Sequence, residues 1–218
     1  DPQASLTVSL GNPFPDTLSP TLSDMMGKIM MEKPIASGEG ILHHPEGVDL
    51  MPANIELSGL EVSLVNAMSR ETILRQYLDT VKQNYDYILI DCPPSLGIVT
   101  TNAFLAADEI IVPMTPELLP LKGMRMLDAF VSTLQRVKPN LRLGGGFIAR
   151  FNHRKLNKVV EQAVKSRYEA ITMKTRIREN IALAESAGSG QSIFEYDPHS
   201  NGAKDYQALT EEIISRNQ

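Results

Sequence analysis

The run Tyr87-Ile-Leu-Ile-Asp-Cys-Pro-Pro-Ser-Leu-Gly97 constrains the fold more than any other stretch of this chain. Four residues suited to a buried strand carry a single acid, Asp91, to the strand's end, and Pro93 and Pro94 then turn the backbone away. An ionised carboxylate is costly to bury without a partner or a metal, so the acid belongs at the rim of a sheet. In open α/β sheets the rim at the carboxyl ends of the strands is where ligands bind. An aspartate after a strand can also simply cap the following turn, and on this run alone that plainer role stays open.

The rest of the chain reads as strands alternating with helices. Residues 1–20 and Pro34 to Pro45 read as loop. Thr21-Leu-Ser-Asp24 has the form of a capping box opening a short helix through Met31. Val48 to Met51 suits a short strand. Ser58-Gly-Leu-Glu61 reads as a second capping box, and apolar residues at 60, 64, 68, 74, 77, 78 and 81 suit a helix to about Gln83. After the strand at 87–91, Thr100 to Ala107 reads as a short helix and Glu109 to Pro113 as a buried strand. Leu121, Met124, Leu127, Val131 and Leu134 mark a long amphipathic helix that ends before Pro139. Leu143 to Ala149 reads as a strand with glycines at 144–146, and Leu156, Val159, Val160, Ala163 and Val164 form another helical stripe. Met173 to Ile177 suits a short strand, Ile193 to Tyr196 a weaker one, and 203–216 a closing helix. This rhythm predicts βαβ units, hence an α/β fold whose mostly parallel sheet is covered on both faces, with residues 1–218 as one domain.

Composition excludes several classes. Apolar residues at 42% and charged residues at 22% describe a globular chain of 218 residues rather than a disordered or fibrous one. The apolar runs reach about five residues, far short of the ~20 that cross a bilayer as a helix. The N-terminal residues lack the basic and apolar regions of a signal peptide. Cys92 is the single cysteine, which excludes an internal disulfide and fits a reducing cytoplasm. The net charge of −5 hides an asymmetry: residues 150–178 hold nine Lys/Arg and two acids, leaving 12 bases against 24 acids elsewhere. A basic segment on an acidic body is either an electrostatic footprint for a polyanion or an ordinary solvated face.

Other reactive residues carry less. His43 and His44 are adjacent, diverge on any regular element, and have no acid or cysteine at zinc spacing, so they read as loop histidines. Cys92 reads as a small buried residue, with no neighbouring charge to lower its pKa. No Gly-x-Ser-x-Gly elbow is present. In a P-loop NTPase an acid placed like Asp91 orients magnesium through water, and such a protein also carries a Gly-rich loop ending in Gly-Lys-Ser/Thr. No such loop occurs in this sequence.

Six segments in order sharpen the reading: Asp1-Pro-Gln-Ala-Ser, Ile90-Asp-Cys-Pro-Pro-Ser-Leu-Gly97, Thr101-Asn-Ala-Phe104, Ala107-Asp-Glu-Ile-Ile-Val-Pro113, Pro116-Glu-Leu-Leu-Pro-Leu-Lys-Gly123 and Ser192-Ile-Phe-Glu-Tyr-Asp-Pro198. Together they resemble the ParA/Soj partition ATPases of the deviant Walker-box group that also contains MinD, from residue 1 to about 216. Gly47 to Ala53 and Leu60 to Leu78 resemble versions on plasmids and mobile elements of Gram-positive bacteria.

The resemblance implies a P-loop NTPase-like three-layer sandwich lacking its first two strands. It implies an ATP- and Mg²⁺-dependent ATPase for plasmid or chromosome segregation. Such proteins form a homodimer with ATP, bind non-specific DNA, and are stimulated by a ParB-type DNA-binding partner. The location implied is cytoplasmic and nucleoid-associated, with no membrane. Asp1 matches the catalytic aspartate that positions the attacking water, and Asp91 matches the Walker B aspartate that holds Mg²⁺ through water. Phe151, Asn152 and Arg178 fall where the adenine pocket is expected. Lys165, Arg167 and Lys174 are the candidates for DNA contact, while His199 and Asn201 stand where many relatives have arginine.

The missing phosphate loop implies that the sequence is an N-terminally truncated record of a longer protein, inactive alone. Loss of the two internal strands upstream of Asp1 would leave neighbouring strands unpaired and apolar faces exposed. Two other readings stay open: a MinD-like ATPase working at a membrane, against which the C-terminal residues 211–218 are not a basic amphipathic anchor, and a degenerate, non-enzymatic DNA-binding module.

Overall fold

The computed structural model describes every residue except 117–119, 153, 169, 170 and 218, and every side chain among those except 120–122, 155, 156, 158 and 167. The described residues form an α/β fold of two compact units, Asp1–Asp108 with Gly188–Gly190, and Glu109–Ala187 with Gln191–Gln218.

In the first unit, helix α1 (Ser5–Ser9) is followed by α2 (Leu22–Met30). The capping box at the start of α2 is formed as expected, with the Thr21 backbone N–H donating to Asp24 Oδ2 at 2.7 Å. A hairpin follows, β1 (Leu42–His43) pairing antiparallel with β2 (Asp49–Leu50). The second strand was expected; the first lies in the stretch read as loop, so His43 is a strand residue. Gly47 turns the hairpin at φ +82°, a backbone angle that residues with a Cβ rarely adopt.

The helix expected from Ser58 to Gln83 is two helices. α3 (Glu56–Leu64) starts earlier than the sequence suggested: Asn54 Oδ1 accepts the Glu56 N–H at 3.2 Å, and Ser58 lies within the helix. Ser69, at φ 50°, breaks the path before a 3₁₀ turn at Arg70–Thr72 and α4 (Ile73–Val81). Helix α5 (Ile98–Ala106) closes this unit. Met25, Met26, Leu57, Leu64, Leu74, Tyr77 and Phe104 are buried where α2, α3, α4 and α5 pack together, each apolar side chain contributing about 1.5–3 kcal/mol. Near the chain reversal at Gly190 a Cβ would lie 2.6 Å from the Gly11 Cα, so only glycine permits that approach.

Residues 87–90 depart from expectation. They run toward Asp91 outside any strand ladder among the described residues, with Tyr87 63% and Leu89 87% exposed. An apolar run becomes a buried strand only when neighbouring strands pair with it, and here none does.

The second unit holds a parallel sheet of β3 (Glu109–Met114), β4 (Arg142–Phe151) and β5 (Thr172–Arg178), with β4 central. Residues largely alternate between the two faces, but the positive φ of Arg150 (54°) and a register shift put Phe151 on the same face as Ile148. Met114, Ile148 and Phe151 pack with Met124, Val160 and Val164 of helices α6 (Pro120–Leu134) and α7 (Lys155–Tyr168). Phe147, Met173 and Ile177 pack with Leu209, and Leu183 joins them, from α10 (Asn201–Arg216) and α8 (Ile181–Gly188). The result is helices, sheet, helices. The glycines of β4 let neighbouring methionines lie close: a Cβ at Gly145 would meet Met173 Cε at 2.4 Å, and one at Gly146 would meet Met114 Cε at 2.7 Å.

Ile193–Tyr196, read as a weak strand, is the short helix α9. Ser192 Oγ accepts the Glu195 N–H at 3.3 Å, and this cap turns an apolar tetrapeptide into helix.

Candidate functional site

The first cluster is a pair of acids 90 residues apart in sequence. The backbone nitrogen of Asp1 lies 3.2 Å from the Asp91 carbonyl oxygen, within hydrogen-bonding distance. Asp1 Oδ1 accepts the Gln3 N–H at 3.0 Å, which sets the turn made by Asp1-Pro-Gln. Asp91 is exposed. After Pro94 the chain is tied down: Thr100 Oγ1 donates to the Ser95 carbonyl at 2.6 Å, and Thr101 Oγ1 donates to the Gly97 carbonyl at 2.9 Å. Buried Asn102 then holds α5 to the start of α4, its Oδ1 accepting the Leu74 N–H and its Nδ2 donating to the carbonyls of Arg70 and Ile98. Cys92, partly buried beside Asp91, has its thiol pKa pushed up, mainly by burial, so it is no activated nucleophile.

The exposed Asp91 carboxylate is a hard oxygen donor of the kind that could hold a magnesium ion through water. The described residues offer no group of three or more His, Cys, Asp and Glu arranged for direct metal binding. The histidines fit no metal role. His43 Nδ1 lies 2.6 Å from Asp49 Oδ1, and Asp49 Oδ2 also accepts the Tyr85 hydroxyl at 2.7 Å. His44 Nδ1 accepts the Glu46 N–H at 3.2 Å, which leaves its Nε2 to donate to the Gly190 carbonyl at 3.3 Å.

In the second unit, the carboxyl ends of β4 and β5 bring Phe151, Asn152 and Arg178 together, with Phe151 opposite Arg178 in register. Asn152 donates from Nδ2 to Glu179 Oε2 at 3.2 Å, and its Oδ1 accepts from Asn157 at 2.5 Å and from the Arg154 N–H at 3.2 Å. Arg178 is held by a bidentate pair to Asp205, at 2.9 Å from Nε to Oδ2 and 2.7 Å from Nη2 to Oδ1. Burial pushes the Asp205 carboxyl up, but the Arg178 guanidinium and backbone N–H together outweigh it and hold the acid below the usual carboxylate range. The guanidinium of Arg178 is therefore engaged within the fold.

The basic segment is more neutral in three dimensions than in sequence. Lys165 and Arg176 both reach Glu161, at 2.8 and 3.2 Å. Arg150 and Arg178 meet Glu179 and Asp205, acids that lie outside the 150–178 window. Lys174 is exposed on β5, two residues before Arg176. Arg167 lies on α7, its side chain outside those described. The sequence reading did not pair Glu161 with Lys165 or Arg176, although the i, i+4 spacing of Glu161 and Lys165 was a readable signal.

A parallel sheet between helical layers, together with an acid exposed just before a Pro-Pro turn, resembles the P-loop NTPase class of α/β proteins. Comparisons with known proteins narrow it. Residues 1–143 match the AAA domain family. The sporulation initiation inhibitor protein Soj of Bacillus subtilis is 39% identical over 172 residues, covering 78% of this chain and 68% of that protein. The chromosome partitioning protein ParA of Myxococcus xanthus is 33% identical over 221 residues, covering 99% of this chain and 75% of that protein. Among solved structures, cobyrinic acid a,c-diamide synthase from Mycobacterium smegmatis, with bound ADP and magnesium, superposes at a TM-score of 0.80 with 29% identity, covering 98% of this chain and 78% of that one. The chain belongs to the ParA/Soj-type partition ATPase family.

Proposed function

We propose that this chain is the greater part of an ATPase that segregates DNA, working through ATP-driven dimerisation, attachment to non-specific DNA and hydrolysis stimulated by a ParB-type partner. The observation that carries the reading is the apposition of Asp1 and Asp91. Phosphoryl transfer asks little covalent chemistry of a protein; positioning and electrostatics do the work. In this reading Asp91 holds Mg²⁺ through water, and the ion neutralises phosphate charge when bound. Asp1, fixed by its turn, presents its remaining carboxylate oxygen to orient the attacking water. Phe151 and Asn152 lie at the adenine, with Arg178 shaping the loop beside it through its tie to Asp205. Lys165, Arg167 and Lys174 meet the DNA backbone.

The test is ATP turnover by the full-length protein and by its variant at Asp1. Asp1→Ala is expected to bind ATP and to lose about 10²-fold or more of its turnover, the scale of a lost positioning or general-base group. Turnover retained in the variant removes Asp1 from the catalytic role.

A further inference from the structure

The polyanion face contains an acid in an unexpected place. Glu161 is only 8% exposed, yet its two oxygens face two long cationic side chains: Oε1 forms an ion pair with Lys165 Nζ at 2.8 Å without hydrogen-bond geometry, and Oε2 accepts from Arg176 Nη1 at 3.2 Å. The Arg176 guanidinium also stacks 4.7 Å from the centre of the Phe151 ring, which fixes its plane at the end of β4. Lys165 and Arg176 remain 47% and 40% exposed, so the cations can swing outward while the acid, packed into the helix layer, cannot follow. A carboxylate gripping two cations offers them what a backbone phosphate would, two oxygens sharing one negative charge.

We propose that Glu161 is an internal stand-in for a DNA phosphate. It holds Lys165 and Arg176 while no DNA is bound and yields them to backbone phosphates on binding, and Arg176 is thereby a further cation of the DNA face. The proposal rests on the reading that this face meets DNA. It has a charge signature. When the cations leave, Glu161 must take up a counterion from solution, which cancels one of the counterions released from the DNA. Removing the acid restores that release.

The experiment measures affinity for a random-sequence duplex by fluorescence anisotropy across a salt series in the presence of ATP and Mg²⁺, using the full-length protein and its Glu161→Gln and Arg176→Gln variants. Glu161→Gln is expected to bind about tenfold tighter at low salt, the combined hold of two half-exposed ion pairs, with a log–log salt slope steeper by about 0.9. Arg176→Gln is expected to make the slope shallower by about 0.9, which loss of a merely structural contact would not do. Should Glu161→Gln fail to fold, judged by circular dichroism, the Arg176→Gln slope carries the test. Unchanged slopes in variants that bind DNA overturn the stand-in and leave the DNA reading intact. No binding by the native chain or by Glu161→Gln overturns both, whereas binding by Glu161→Gln alone supports complete masking.

Discussion

Asn102 is the residue on which the structure makes its sharpest stability demand. It is fully buried, and its amide makes three hydrogen bonds: 3.1 Å from the Leu74 N–H, 2.8 Å to the Arg70 carbonyl and 3.0 Å to the Ile98 carbonyl. These bonds tie the start of α4 to the middle of α5, which begins directly after the turn that follows Asp91. Asn102→Ala removes three bonds of about 1 kcal/mol each and strands at least one buried N–H and one buried carbonyl, for a combined loss of about 3–5 kcal/mol. Against a total stability of roughly 5–15 kcal/mol that is a large fraction. With a urea dependence of about 2 kcal/mol/M the midpoint should fall by about 2 M at unchanged slope. Asn102→Asp keeps the size and one acceptor but turns a carboxylate toward two carbonyls, and should do no better at neutral pH. A midpoint shift below about 0.5 M for Asn102→Ala would refute the reasoning, because it would mean that the stranded groups find other partners at little cost.

Two further outcomes follow from charged and phenolic groups. The Asp49 hydrogen bond, with smaller help from burial, pushes the Tyr85 hydroxyl up to about 12, so ultraviolet titration should show its phenolate only near that pH, and Asp49→Asn should return it toward 10. A raised folded pKa means that this bond's stabilisation is fully present below about 10 and is lost as pH climbs through about 12. Asp205 works in the opposite sense: its depressed folded pKa gives stabilisation present above the ordinary carboxylate range and lost as pH falls through the folded value. Urea midpoints measured down an acid series should therefore fall more steeply in the native chain than in Asp205→Asn, which lacks that contribution throughout.

Where local chemistry decides an element, the sequence was readable. Thr21 and Asp24 needed only each other to open α2, and the capping box formed. Helices α6 and α7 and the strand between them appear where the sequence placed them, although Val159 of the expected α7 stripe is 61% exposed. Where a cap came from an unexpected residue, reading failed: Asn54 opened α3 ahead of the Ser58 signal, and Ser192 made helix of a segment whose Ile, Phe and Tyr suggest strand. The acid pair was legible only through the ordered motifs, since neither Asp1 nor Asp91 announces that the other is 90 residues away and adjacent in space. The Asn102 clasp left no signal beyond its place in one of those motifs, because the groups it bonds are backbone atoms.

The two largest discrepancies share one physical cause: a segment's fate depends on neighbours that a window of sequence does not contain. Residues 87–90 have every property of a buried strand, yet burial is a property of the ladder, and without paired strands Leu89 lies 87% exposed. The basic segment has the same character. Its net +7 was counted over 150–178, but Glu179 and Asp205 fall outside that window and reach Arg150 and Arg178, while Glu161 inside it answers two cations at once. The field that DNA would meet is therefore set by which of these pairs open, not by how many bases the segment holds. Cations whose acids sit on the surface can be parted by salt, because exposed pairs are weak and screened. Those bound to Glu161 answer to an acid that is 8% exposed in the helix layer, so in the proposed DNA contact the native fold as well as the medium would set their availability.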